Sequence, residues 1–415
     1  MLQTNSSRHQ WFQLGSLAFA HFTVDCFGGL LTVLLPEVRD RFALVLWLGL
    51  ALITTQTIAS NAMQIVVGHL RPQKTRPLFI HVGLLLAASI CLIIVLNGEQ
   101  NRHWVFFFAL ASGTGIAVFH PEALRAVHRM DAIAPATSST LFSMLGFTGY
   151  LVGAYLASVL FKHWGFNGLL VFLIGPMIAI PLIVLLKVRL AVEKDPEEEH
   201  IKHNMPFWPI FTICLLLVTV STVFGSLLPS RLDEIGFSLQ YRGLAMLLLG
   251  LGSLAGSLFW MVKAHKLGEF RCVLISIALG SPVYLLYLFL LPHKQAIWLL
   301  ALVGFLINTP YPLLLTMVRW SDAMNLGQRM AMMLGGAWGT AAVILLIMGK
   351  LAEWTGMQIA MGCIGICHPI SLIFGIWLLR RYPGAAVPTV QLQKNETTYY
   401  NDTRLKTTNL QETPI

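Results

Sequence analysis

Of the 19 acidic residues in this 415-residue chain, two fall inside long apolar runs, Asp25 and Glu122. Each has a histidine close by. His21 and Asp25 stand four apart in HFTVDCFGG (His21–Gly29), so a helix puts them on one face. Glu122 sits in AVFHPEALR (Ala117–Arg125), where Pro121 separates it from His120 and Arg125 follows within one turn. A carboxylate beside an imidazole in apolar surroundings is suited to taking up and releasing protons near neutral pH, because desolvation and charge pairing push its proton affinity in opposite directions. Pro121 adds a freed backbone carbonyl, that of Ala117, able to bind water or a donor.

Such groups need elements that hold them away from lipid. The chain is 56% hydrophobic and 11% charged, with mean hydropathy +0.70, far from the roughly 25% charged residues of a soluble domain. It reads as an all-α polytopic membrane protein. Apolar runs of about 20 residues predict twelve spans, at 14–36, 43–67, 78–96, 104–125, 138–161, 168–186, 206–228, 243–262, 273–291, 296–318, 330–349 and 357–379. The first run is long, holds Asp25 and leads into further spans, so it reads as a retained helix and not a removable leader. Placing both termini in the cytoplasm puts twenty of the 28 Lys and Arg on that side, as the positive-inside rule requires. The net charge of +9 is mostly this asymmetry, and nucleic-acid binding is not needed to explain it.

An ionised carboxylate facing lipid costs roughly 2.5–3.5 kcal/mol, so Asp25 and Glu122 are expected to face a protein interior or a water-filled cavity. At 1.5 Å per residue, His21 and Asp25 lie about 10 and 16 Å from Leu14, and Glu122 and His120 about 10 and 13 Å inward from Arg129. The matching depths allow all four to form one cluster between spans 1 and 4. The competing reading is local: Glu122 pairs with Arg125 near the surface while His21 caps Asp25.

The charged stretch RLAVEKDPEEEHIKHN (Arg189–Asn204) splits the spans six and six. The expected organisation is an amino-terminal bundle (1–188), a cytoplasmic linker (189–205), a carboxy-terminal bundle (206–382) and a polar, disordered cytoplasmic tail (383–415). The halves repeat: GTGIAVFHP (Gly113–Pro121) answers GFLINTPYP (Gly304–Pro312) at an offset of 191, and GFTG (Gly146–Gly149) answers GAWG (Gly336–Gly339) at 190. Parallel duplication of six-helix units is the major facilitator architecture. The matching stretch of the second half, NTPYP (Asn308–Pro312) with Asn308 and Tyr311, is polar but uncharged, so ionisation in one half and hydrogen bonding or stacking in the other are expected. In TTQTIASNAMQ (Thr54–Gln64) interhelical hydrogen bonding accounts for most of the polar residues, and Gln64 is the further candidate for function. Gly146, Gly149 and Gly153 read as packing positions. The six cysteines lack metal-ligand pairing; in CIGICHP (Cys363–Pro369) simple packing is the reading set against a metal site.

HFTVDCFGGLLTVLLP (His21–Pro36), FHPEALR (Phe119–Arg125), STLFSMLGFTGYLVG (Ser139–Gly153) and MLGGAWGTAAVILLIMGKLAEWTG (Met333–Gly356) resemble the fosmidomycin-resistance branch of the major facilitator superfamily. The resemblance implies a proton-driven exporter of the inner membrane, with His21, Asp25, His120 and Glu122 matching the branch's polar cluster. Two positions depart from it: Pro72 stands where the signature loop usually has aspartate, and Ala154 where an antiporter-like motif often has proline.

The expected function is secondary active transport, with proton-coupled export of a small organic compound, an anion being one option. Asp25 and His21 are assigned to proton coupling, and His120, Glu122, Arg125, Gln64, Asn308 and Tyr311 to substrate or gating. The runner-up is movement of an endogenous organic anion or metal chelator in either direction. A membrane-embedded enzyme or sensor is the rival of another class; no nucleophile–base set, phosphate-cradling loop, metal-ligand spacing or ATP motif speaks for it. No cofactor or metal is expected. The partners are protons, the small-molecule substrate and the bilayer, with the monomer as the working unit.

Overall fold

The computed structural model describes residues 7–70, 75–130, 132–133, 135–191, 205–318, 321 and 326–386. Pro72, residues 192–204 of the expected linker and residues 387–415 of the expected tail lie outside them. Every regular element among the described residues is helical, as an apolar solvent demands, since only a helix or a closed barrel satisfies its backbone internally.

Ten helices are long and apolar enough to cross a membrane, or eleven with one bent pair counted as a span. The longest of them, Leu141–Leu185, has 45 residues, about 68 Å of helix against a hydrocarbon core of about 30 Å. It is two spans. Gly165, at φ 55°, supplies the left-handed residue that breaks it. Twelve spans result: α1 (Ser7–Val33), α2 (Leu46–Leu70), α3 (Leu78–Val95), α4 (Arg102–Val127), α5 (Pro135–Trp164), α6 (a 3-10 segment Gly165–Leu173, then Ile174–Leu185), α7 (Phe207–Glu234), α8 (Leu239–Leu267), α9 (Glu269–Leu290), α10 (Lys294–Val318), α11 (Gln328–Thr355) and α12 (Met357–Arg381). α1 begins seven residues before the expected Leu14, so it protrudes about 10 Å further at the terminal side. A short connecting helix, Leu35–Phe42, starts with Pro36 in its first turn, stops at Ala43 in the left-handed region, and turns the chain through 118° into α2.

The packing repeats along with the sequence. α1 packs on α5 and α6 as α7 packs on α11 and α12, and α4 packs on α2 and α3 as α10 packs on α8 and α9. The most extensive pairings between the halves are α5 with α8 and α2 with α11.

The buried residues show where the halves join. One continuous core runs through the amino-terminal half and into Val220–Leu232, Ala245–Leu249, Tyr284–Val303 and Leu345–Ile364, the parts of the carboxy-terminal helices farthest from the chain termini. A separate core, including Phe207–Val218, Phe270–Ile277 and Leu313–Val318, fills the terminal side of the carboxy-terminal half alone. Among the described residues the halves therefore share a core on the far side only.

Candidate functional site

Three ionisable side chains meet where α1, α4 and α5 converge, about 10 Å in from the terminal-side end of α4. His21 Nε2 lies 3.3 Å from Asp25 Oδ2, and His120 Nε2 lies 3.3 Å from Asp25 Oδ1. The two Nε2 atoms are 3.1 Å apart. Each ring is anchored through its other nitrogen: His21 Nδ1 donates to the Phe142 carbonyl at 2.8 Å and His120 Nδ1 to the Ile116 carbonyl at 2.7 Å. Carbonyls only accept, so both Nδ1 atoms carry hydrogen, and in the neutral rings both Nε2 atoms present lone pairs to Asp25.

The surroundings fix these rings. Phe142 stacks on His21 with centroids 4.0 Å apart, and His120 meets His21 edge-on. Gly146 leaves the space for the His21 imidazole, since a Cβ there would overlap the ring. Gly149 and Gly153 bring α5 against the backbone of Phe22 and Cys26, directly behind Asp25. Of the glycines that read as packing positions, Gly146 thus also seats the imidazole.

Glu122 does not belong to the group. Two residues apart on a helix, His120 and Glu122 point to different faces, and His120 is the one facing Asp25. Glu122 is buried and its Oε2 accepts from the backbone N–H of Phe79 at 2.8 Å, at the start of α3. Arg125 donates through Nε and Nη2 to the carbonyl of Ala191 at 3.1 and 2.7 Å, while Ala191 N–H bonds back to the Arg125 carbonyl. Both side chains hold backbone next to the start of α3 and the end of α6. Gln64 donates to Ser60 in its own helix at 2.8 Å. It is Gln56 that crosses between helices, to the Phe27 carbonyl and Ser112 Oγ, and Thr54 that reaches the other half through the Ala342 carbonyl at 3.1 Å.

In the carboxy-terminal half the counterpart is neutral. Asn308 accepts from Ser221 at 2.5 Å and donates to Ser253 at 2.9 Å, tying α10 to α7 and α8. Tyr311 lies edge-on to Trp338 at 5.6 Å, and its hydroxyl reaches the Met333 carbonyl at 3.5 Å. In the Cys363–Pro369 stretch, Cys363 is exposed and His368 is buried edge-on against Tyr284. The one His/Cys/Asp/Glu group with metal-ligand spacing among the described residues is His21, Asp25 and His120.

A second charged group lies on the far side and was not visible in the sequence, because its members lie on three helices drawn from both halves. Arg242, buried near the start of α8, pairs with Glu37 of the connecting helix and with Asp233 at the end of α7. Nearby, Glu353 accepts from the Trp47 N–H at 2.9 Å and pairs with Lys350 at 3.1 Å, whose ammonium sits 4.5 Å from the Trp47 ring centre. Both contacts bind one half to the other. These contacts lie on the far side, where the two halves also share one core.

Comparison with known proteins agrees with this fold. The chain is 21% identical over 372 residues to the fosmidomycin resistance protein of Escherichia coli (strain K12), covering 86% of this chain and 90% of that one. Its fold is similar to a bacterial homolog of the human lysosomal transporter Spinster in an inward-facing, unoccupied conformation (TM-score 0.67, 11% identity, 91% of this chain and 98% of that one). It is also similar to the peptide transporter POT in complex with sulfate (TM-score 0.66, 15% identity, 90% and 95%). The family model of the Major Facilitator Superfamily matches residues 17–319, and with twelve spans paired by a six-helix repeat the chain belongs to that superfamily of membrane transporters.

Proposed function

We propose that this transporter exports a small organic compound across the inner membrane in exchange for protons, with both termini in the cytoplasm. The carrying observation is Asp25, held between imidazoles from two different helices. Export against a gradient needs an energy source, and each entering proton brings about 2.3 kcal/mol per 100 mV. Asp25 with His21 is the proton carrier. His120 links it to α4, so the carrier's charge state acts on the same helix that holds Glu122 and Arg125. Those two form the terminal-side gate through their bonds to the Phe79 and Ala191 backbone. Asn308, Tyr311 and Gln64 contact the substrate. The amino- and carboxy-terminal bundles move as units, and the contacts of Arg242 and Glu353 between the halves close the outer path.

Sealed vesicles containing only the purified protein test this reading. Fosmidomycin, after the name of the relative, is the first compound to load, followed by small organic anions. Substrate-dependent proton flux in the opposite direction is expected; transport that ignores an imposed pH gradient and a membrane potential would refute proton coupling. In intact cells, a thiol reagent applied from outside should label Arg102→Cys and miss Glu198→Cys, and the reverse pattern would invert the orientation.

A further inference from the structure

The proton site has a second chemistry written in its geometry. We infer that His21, Asp25 and His120 form a three-ligand site for a divalent transition-metal cation of the zinc, cobalt and nickel class, resting on the assignment of the same residues as the coupling site.

The ligand atoms are already turned inward. With both Nδ1–H groups committed to backbone carbonyls, each neutral imidazole presents its Nε2 lone pair to the other ring and to the carboxylate. Two lone pairs 3.1 Å apart, each 3.3 Å from a carboxylate oxygen, repel unless positive charge lies between them. A proton satisfies one such contact; a cation at the centre satisfies all three. Zinc bonds nitrogen and oxygen at about 2.0–2.2 Å in tetrahedral sites, which requires ligand-to-ligand edges of about 3.3–3.6 Å. The N–N edge of 3.1 Å and the N–O edge of 3.3 Å from either imidazole to its nearer carboxylate oxygen need only a few tenths of an ångström of expansion, and one ligand atom from each residue lies within 4.8 Å of the other two.

The supporting shell fits as well. Metal-binding histidines donate the remaining ring N–H to a carbonyl or carboxylate, which fixes tautomer and orientation; here the Phe142 and Ile116 carbonyls do so. The Phe142 stack and the Gly146 cleft hold the His21 ring in place. Two imidazoles and one carboxylate suit borderline transition cations over calcium or magnesium, which prefer oxygen ligands. Three protein ligands leave a fourth position, and the side chains of Asp25 and His120 retain 18% and 24% exposure, so water can complete the shell. Because the ligands bind in deprotonated form, the cation displaces the protons and occupies the carrier.

The probe is cobalt(II) titrated into the purified full-length protein, free of any histidine tag, with its visible absorption read as a measure of four-coordinate binding. One equivalent is expected to bind, to be displaced by zinc and to be unaffected by excess magnesium. His120→Gln and Asp25→Asn should each weaken binding at least about tenfold; Asp25→Asn is isosteric, and gel filtration checks that each variant is folded. Absence of stoichiometric cobalt binding, or binding unchanged in both folded variants, overturns the inference. The titration uses neither substrate nor proton gradient, so its failure leaves proton coupling intact, and failed proton flux in vesicles leaves the cation site intact.

Discussion

The two halves share one scaffold and differ in chemistry. Offset by 191, His120 corresponds to Tyr311 and Ala117 to Asn308. In the amino-terminal half α4 runs unbroken through Pro121, and its histidine turns to a carboxylate on α1. In the carboxy-terminal half two prolines fall within three residues, Pro310 and Pro312, and α10 is interrupted at Asn308 and Thr309. The first proline removes a backbone donor and disfavours helix at the residue before it. The interruption turns Asn308 to Ser221 and Ser253. The same helices cross in both halves, while their polar contents differ, an ionisable cluster in one and a neutral hydrogen-bonded one in the other.

The sharpest break of this asymmetry is Asp25→Asn. The amide keeps the shape and can still bond to one imidazole, but it cannot ionise. Proton-driven accumulation in vesicles should fall to background while exchange of substrate down its gradient persists. Uphill transport at the normal rate would remove Asp25 from the coupling and make the cluster structural.

The packing glycines give the next largest contrast, again between repeat partners. A Cβ on Gly149 would overlap the Phe22 carbonyl, whereas one on Gly339, its partner at an offset of 190, would meet nothing within 4 Å. Gly149→Leu should therefore collapse the amount of folded protein recovered in detergent, and Gly339→Ala should leave it near the original level. Equal recovery for Gly149→Leu would mean that α1 and α5 do not need their close approach.

A third variant tests the contact that holds the halves together. Removing one partner from a buried ion pair typically costs about 3–5 kcal/mol, and the lower end applies here because the Asp233 side chain is 44% exposed. Since Glu37 and Arg242 belong to different halves, Arg242→Gln weakens the far-side seal more than either bundle. Spin labels at the exposed positions Asp40 and Glu234 should report a longer or broader distance distribution in the variant. An unchanged distribution would assign closure to the shared apolar core instead.

How much of this was legible before the fold is best seen residue by residue. The apolar runs gave the spans, because a bilayer imposes length and hydropathy directly, but the start of α1 at Ser7 was missed, since Arg8 and Gln10 carry no apolar signal. The four-residue spacing put His21 and Asp25 on one face, and counting depth brought His120 to their level. The same count admitted Glu122, although two residues of separation send it to another face of α4. Gln64 drew attention as a polar residue in a span, yet Gln56 and Thr54 make the contacts between helices; one sequence cannot show which way a polar side chain turns around a helix. The group at Arg242 was illegible for a different reason. Arg242 lies 205 residues from Glu37, in the other half, and nothing local marks them as partners.

The smallest expected effects belong to the neutral half. Tyr311→Phe removes a hydroxyl whose bond to the Met333 carbonyl is already long at 3.5 Å and leaves the ring against Trp338, so substrate affinity should change by less than about threefold, within the weak end of a net hydrogen bond. Asn308→Ala removes more: the Ser221 hydroxyl loses its bond to Asn308, while Ser253 keeps its bond to the Leu249 carbonyl. A loss of about 1.4 kcal/mol, tenfold in half-saturating substrate concentration, is expected, with the number of protons moved per substrate unchanged. On the proposed function, the neutral cluster sets how tightly substrate is held and the ionisable one sets what drives it. If Asn308→Ala uncouples proton flux from substrate movement as Asp25→Asn does, the division of labour between the halves fails, and coupling must run through both.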